Sequence, residues 1–239
     1  MQKKPPPPHL PPNNLLLKAL GREEYARLLP GLKLVDLPAG KVLYEAADNL
    51  LHAYFPLSGA VSLLAITETG STIEIAMVGS EGIVGLPVIL GITRTPYRVM
   101  VQIRGSAMRV RGPALVAEFS RGGQLHEILL RYSYTLLTQI SQSAVCNQFH
   151  TVEQKLSRWL LVTRDRTQSN EFLLTQEFIS HMLGIPRTNV TMRASELQQR
   201  GLIRYSRGRI IITDPRGLED ASCECYRTVK QETGDFLAA

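Results

Sequence analysis

LLTQEFISHMLGIPRTNVTMRASELQQRGLIRYSRGRIIIT, residues Leu173–Thr213, is the stretch on which the fold turns. Phe178, Ile179, Met182 and Leu183 recur at helical steps and give one apolar face. Gly184 follows, a residue free to take the left-handed conformation of a helix stop. Pro186 stands where a second helix begins, tolerated there because a first-turn N–H has no helical partner. In that second helix Val190, Ala194 and Leu197 share one side, while Arg187, Thr188, Thr191 and Arg193 turn to others. Two short helices about a glycine turn make a helix-turn-helix, whose second helix would enter a major groove.

The following residues extend the motif. Gly201-Leu202-Ile203 ends the helix, Ser206-Arg207-Gly208 reads as a hairpin turn, and Ile210-Ile211-Ile212 is β-branched, so a small β-wing is expected. From Gly184 to Thr213 six arginines (187, 193, 200, 204, 207, 209) face one acid, Glu196. Alone, that run is equally a solvated basic face. With the helix–turn–helix–wing order it points to DNA, because phosphate neutralisation supplies most non-specific affinity.

The chain has 239 residues, 44% of them hydrophobic, enough for two domains with sizeable cores. A net charge of +6 and a pI near 9.4 suit a polyanionic partner. No apolar run reaches the roughly 18–20 residues of a membrane span, so no membrane partner is expected. The opening MQKKPPPPHLPPNN lacks a signal peptide's apolar region and reads as a disordered, proline-rich leader over residues 1–14, or as a ligand for a proline-reading domain; a cytoplasmic location is expected. The three cysteines, Cys146, Cys223 and Cys225, are too few for a disulfide framework. Cys223 and Cys225 form a C-x-C pair, but no CxxC or neighbouring histidine completes a tetrahedral set, so no metal site is assigned.

In chain order, Leu15–Leu29 reads as a short helix. Short apolar runs then alternate with turn signals such as Pro38-Ala39-Gly40, Leu57-Ser58-Gly59 and Glu68-Thr69-Gly70. Strands are expected at 41–44, 52–55, 60–66, 72–78 and 98–103. The fold class is therefore α+β, with an N-terminal antiparallel jelly roll over residues 15–122 whose interior could hold a small ligand. Residues 123–147 form a long helix. Leu130, Tyr134, Leu137, Ser141 and Ala144 line one side of it, and Leu129, Tyr132, Leu136 and Ile140 another. A stripe that broad packs on the roll and on a second copy of the chain, unless the helix is simply buried in a monomer. A further helix starts near Val152, and Arg164–Asn170 (RDRTQSN) reads as a polar loop. The winged helix-turn-helix domain is assigned to 148–216. Residues 217–239 are one more helix, Leu218–Glu232, with a loose tail.

This order of parts resembles the Crp/Fnr superfamily of bacterial transcription regulators. The most specific likeness runs from Leu174-Thr175-Gln176 through Gly184-x-Pro186-Arg187-x-x-Val190-Thr191 to Leu197-x-x-x-Gly201-Leu202-Ile203, with family-like turns at Gly59-Ala60-Val61 and Gly82-Ile83-Val84-Gly85. The resemblance implies a cyclic-nucleotide-binding-like roll, a homodimer and two recognition helices about 34–36 Å apart. It implies RNA polymerase as a partner as well. Members that bind cyclic AMP carry Gly-Glu after the last roll glycine, then Arg-Ser/Thr-Ala. Here the positions read Gly85-Leu86-Pro87 and Tyr97-Arg98-Val99. Leu86 cannot accept a ribose hydroxyl and Pro87 lacks an N–H, so cyclic AMP is not expected. Gly85 and Arg98 remain the candidate effector residues, and the effector itself is unknown. Oxygen-sensing members use N-terminal cysteines for an iron–sulfur cluster; none precedes position 146, which argues against that sensor. His52 and His126 are histidines that could ligate a haem iron.

By the same resemblance Arg187 matches the arginine that reads guanine N7 and O6. The family's following glutamate is Thr188 here, and the arginine found later in many members is Met192, with Arg193 one place on and about 100° round the helix. The candidate DNA-binding residues are Thr175, Gln176, Arg187, Thr188, Asn189, Thr191, Arg193 and Arg207. The roll has one histidine and no His-x-His, and the chain has no G-x-S-x-G elbow, so no catalytic residue is assigned and an enzyme is not expected. Two other readings stay open: a ligand-sensing module whose helix-turn-helix contacts protein, and a ligand-independent regulator controlled by abundance.

Overall fold

The computed structural model describes residues 13–238. The reading of the first twelve residues as a disordered leader lies outside them. Asn14, counted with that leader, belongs to the folded body. It is fully buried, its side chain accepts from Leu17 N at 3.1 Å, and its amide donates to Pro56 O and Gly82 O. The expected first helix is two: α1 (Leu15–Lys18) and α2 (Arg22–Leu28).

The roll is built from β1 (Lys33–Leu37), β2 (Val42–Tyr44), β3 (His52–Ile66), β4 (Thr72–Val78) and β5 (Arg98–Arg111). They form one antiparallel sheet, order β1-β5-β3-β4, with β2 also on β5. Two of these strands are longer than the sequence signals suggest, and β1 has no such signal. Gly59, read as a turn, lies inside β3, which runs unbroken from His52 to Ile66. The register with β5 shifts there, and a side chain on Gly59 would collide with the Ile103 carbonyl. Its φ of +77° marks a bulge that bends the strand without ending it.

After α3 (Gly112–Phe119), α4 runs from Gln124 to Phe149. Its inward face, Leu125, Leu129, Tyr132, Thr135, Gln139, Ser143 and Cys146, is buried. His150 ends it and Thr151 opens α5 (Val152–Thr167) with a reciprocal capping box to Gln154. Of the polar stretch read as a loop, Arg164–Thr167 are α5's last turn, and only Gln168–Asn170 leave the helix. Its charges resemble a solvent-exposed loop because their partners are remote in sequence. Arg166 lies buried against Glu81 of the roll at 3.2 Å, and Asp165 accepts from the Tyr226 hydroxyl at 2.9 Å.

The C-terminal unit adds β6 (Glu171–Leu173), α6 (Gln176–Leu183), α7 (Arg187–Gln199), β7 (Ile203–Ser206) and β8 (Arg209–Ile212), with β6-β8-β7 a small antiparallel sheet. Two helices follow where one with a loose tail was expected: α8 (Pro215–Asp220) and α9 (Glu224–Ala238), parted at Ala221–Cys223. α9 is packed: Tyr226 and Val229 are buried, and Phe236 meets the Tyr132 ring at 5.9 Å.

One core joins both halves. Ala60, Leu64 and Met77 of the roll pack with Leu156, Trp159 and Leu160 of α5 and with α6 and α7. Within that seam the Trp159 indole donates to Glu74 Oε1 at 2.9 Å. Ser62 Oγ stands 2.6 Å from both Glu74 Oε2 and Gln102 Oε1. Ser62 has one proton for two oxygens, so a protonated Glu74 completes the set. Burial pushes the Glu74 carboxyl up from 4.5 to about 7; the hydrogen bonds from Ser62 and Trp159 and the charge of Arg158 oppose it. A folded-state value above the unfolded one gives stability that is fully present below about pH 4.5 and is lost as pH rises through about 7. We therefore expect the unmodified protein to lose up to about 3 kcal/mol between pH 5 and pH 8 that Glu74→Gln does not lose. Parallel thermal melts of the two proteins check this; equal pH profiles would show that Glu74 stays ionised throughout.

Candidate nucleic-acid interface

Thr175 opens α6 by accepting from Phe178 N at 3.1 Å. Gly184 closes it at φ +62°, and its N–H bonds Ser180 O. The turn hands the chain to Pro186, which caps α7 with Arg187 as its first residue. Val190, Ala194 and Leu197 of α7 are buried as their spacing required. At about 100° per residue the opposite face carries Thr188, Met192 and Ser195, all exposed, with Arg187 and Thr191 on one flank. At the wing tip Arg207 (φ +49°) and Gly208 (φ +77°) are both left-handed, the conformation of a tight two-residue hairpin. β6, only three residues long and without a signal in the sequence, pairs with β8, and Leu174 N–H donates to Gly208 O, which sets the wing tip beside Thr175 at the cap of α6.

These elements enclose a cleft of about 340 Å³ lined by Thr175, Gln176, Arg187, Tyr205, Arg207 and Gly208. The Tyr205 hydroxyl donates to Leu174 O at 3.0 Å, and burial raises its pKa, so the phenol stays neutral. Gln176 is held by the Thr191 hydroxyl at 2.6 Å. The positive end of α7 faces this cleft with Arg187. Four of the expected residues, Thr175, Gln176, Arg187 and Arg207, thus come together, with Thr191 behind them. Thr188 stands on the outer face, and half-buried Asn189 points away from it.

Arg193 does not join them. It is half-buried on the other flank and pairs with Glu196 at 2.6 Å. The charge count along the stretch is also corrected by tertiary contacts. Arg200 pairs with Glu153 at 2.7 Å and Arg209 with Glu171 at 2.6 Å, while Arg187 has Glu177 only at 3.7 Å. Among the described residues, Arg204 and Arg207 have no ion pair. Met192, absent from the expected set, is 47% exposed at the centre of the outer face, where an apolar side chain suits a thymine methyl group.

In the roll, a pocket of about 160 Å³ lies between the sheet and α4. Its walls include Tyr44, Ile83, Gly85, Leu86, Leu136 and Ile140. That volume is below the roughly 300 Å³ at which sites for drug-sized ligands begin. Gly85 takes φ +89° in its wall. Arg98 lies elsewhere, paired with Glu45 at 2.8 Å. Neither histidine named for haem lines this pocket; His126 stacks on Phe119 at 4.4 Å. No helix is long and apolar enough to cross a membrane among the described residues.

Comparison with known proteins places these features. Residues 154–221 match the family model of a Crp-like helix-turn-helix domain. A comparison with curated proteins finds no match. Among solved structures the chain is similar to FixK2 from Bradyrhizobium japonicum, at 15% identity and TM-score 0.69, covering 80% of this chain and 98% of that one. A CRP/FNR-family transcriptional regulator from Thermus thermophilus gives 20% identity and TM-score 0.62 over 80% and 98% of the two chains. The c-di-GMP responsive global regulator CLP from Xanthomonas campestris gives 14% and 0.57 over 80% and 99%. Residues 154–221 are thus similar to a Crp-like helix-turn-helix domain, and the chain shares its fold with Crp/Fnr-type regulators of known structure.

Proposed function

We propose that this chain is a sequence-specific DNA-binding transcription regulator that acts as a homodimer in the cytoplasm, without catalysis of its own. The observation that carries the reading is the cleft of Thr175, Gln176, Arg187, Tyr205 and Arg207 at the positive end of an exposed recognition helix. It fits a phosphate between helix and wing while Arg187, Thr188 and Met192 meet base edges. The dimer is supported by α4. Leu130, Tyr134 and Leu137 are 47%, 63% and 59% exposed along one line, an apolar stripe suited to a second copy. By resemblance, RNA polymerase is the further partner.

The signal is read at the roll. CLP is responsive to a cyclic dinucleotide, but no charged side chain lines the small pocket here among the described residues. A compact apolar molecule suits it better. Such a ligand would touch Leu136 and Ile140 of α4 and so act on the dimer helix directly.

DNA affinity measured against salt tests the reading. Arg204 and Arg207 of two subunits give four cations with no ion pair of their own, so log K should fall with log salt at a slope of about −4. Selection from random DNA should then return a two-fold symmetric site. A protein that ignores DNA at low salt, or binds with no salt dependence, is instead a protein-contact module.

A further inference from the structure

All three cysteines of the chain converge on one point with a histidine. Cys146 lies in the last turn of α4 and His150 caps that helix; Cys223 immediately precedes α9 and Cys225 lies in its first turn. The sulfur and ring-nitrogen atoms of the four lie within 4.8 Å of one another. Cys146 Sγ and Cys223 Sγ are 3.6 Å apart, and Cys225 Sγ is 3.6 Å from His150 Nδ1. A zinc ion with Zn–S bonds of about 2.3 Å has S···S edges of about 3.8 Å, so these contacts are already edges of its tetrahedron. No such set is legible along the chain, because the histidine belongs to Cys146 at i+4 and Cys223 of the C-x-C pair is 77 residues from Cys146.

We propose that Cys146, His150, Cys223 and Cys225 bind one zinc ion, which clamps α9 onto the end of α4 where the chain passes into the helix-turn-helix domain. Three further features fit. The thiols are buried, as a closed structural site requires. His150 Nε2 lies 3.1 Å from Glu224 Oε1; an Nε2–H donated to that carboxylate leaves the Nδ1 lone pair directed at Cys225. Three thiolates, one neutral imidazole and Zn²⁺ sum to one negative charge. The buried Arg158, whose positive charge acts on Cys146 and Cys225 and whose Nε has no hydrogen-bond partner among the described residues, supplies the compensating cation. A two-iron cluster needs its ligands further apart, since two metals and bridging sulfides lie between them. All four ligands also fall outside the matched segment 154–221.

The test is metal analysis of the untagged full-length protein, purified without chelator. We expect one zinc per chain, thiols that become reactive only after chelator and denaturant, and, with Co²⁺ in place of zinc, the absorption of a tetrahedral thiolate site. Cys225→Ser and His150→Gln should each bring zinc below about a tenth of an equivalent. Glu224→Gln should keep the metal but lose it about 10–100-fold more readily to a competing chelator. Because the first measurement uses the unmodified chain, a misfolded variant cannot decide the matter. A metal-free protein with three free thiols, a Cys146–Cys223 disulfide seen as a mass lower by two hydrogens, or iron with acid-labile sulfide would each overturn the proposal.

Discussion

Leu137→Glu should turn the protein into a monomer and lower its operator affinity by about 10²–10⁴-fold, the advantage that linking two half-site readers confers. Leu137 is 59% exposed in the single chain, so the change leaves each chain's own core untouched and the circular dichroism should not move. In the proposed dimer the same position would lie in the seam between two copies of α4, midway along the exposed line through Leu130, Tyr134, Ser141 and Ala144. Two unpaired carboxylates would be buried there, at a cost of several kcal/mol. Sedimentation at micromolar concentration reads the result. A variant that stays dimeric, or an unmodified protein that is already monomeric, would remove α4 from the interface.

Arg187→Ala and Arg207→Ala should differ in kind. Arg187 begins α7 and its side chain is 64% exposed, paired with Glu177 at 3.7 Å. Its planar fork matches guanine N7 and O6, and its loss should cost about 1–3 kcal/mol per half-site. Two well-separated half-sites add, giving about 30-fold to 10⁴-fold on the full operator, with relaxed preference at one base pair in each half. Arg207 lies across the same cleft on the wing tip, where charge matters and base identity does not. Its loss should weaken all DNA alike and flatten the salt slope by about one counterion per subunit. Binding selections on randomised operators at two salt concentrations separate the two. An Arg187 variant with the parent's sequence preference would mean that α7 does not read the groove through its first turn.

How much of this was legible in the sequence depended on the range over which each feature is decided. The helix-turn-helix was legible because its determinants are local: apolar spacing at helical steps, Gly184 for a left-handed stop, Pro186 at the next start, and Arg207-Gly208 for a tight hairpin. The long helix and its two stripes were legible for the same reason. Its outward stripe proved exposed; of the other, Leu129 and Tyr132 are buried while Leu136 and Ile140 are half-buried against the small pocket. Element ends failed where a remote partner decides them. The last turn of α5 looked like loop because Arg166 and Asp165 find Glu81 and Tyr226 only in space, and β3 looked like two strands because Gly59 bulges under β5.

The chain's sequence by itself determined which segments are helix, turn and wing, and that α7 presents Arg187 and Thr188 outward, because steric preference and hydrophobic period act over a few residues. Tertiary structure alone decided which charges are free and which cysteines meet. Glu153, Glu171 and Glu196 neutralise three of the six arginines, two of them from outside the motif, and leave Arg204 and Arg207 without an ion pair among the described residues. Packing α9 back along α4 brings Cys223 and Cys225 to Cys146 and His150. Coulomb attraction and metal ligation act through space at a few ångströms, and the order of residues along the chain sets no such distance until the core has closed.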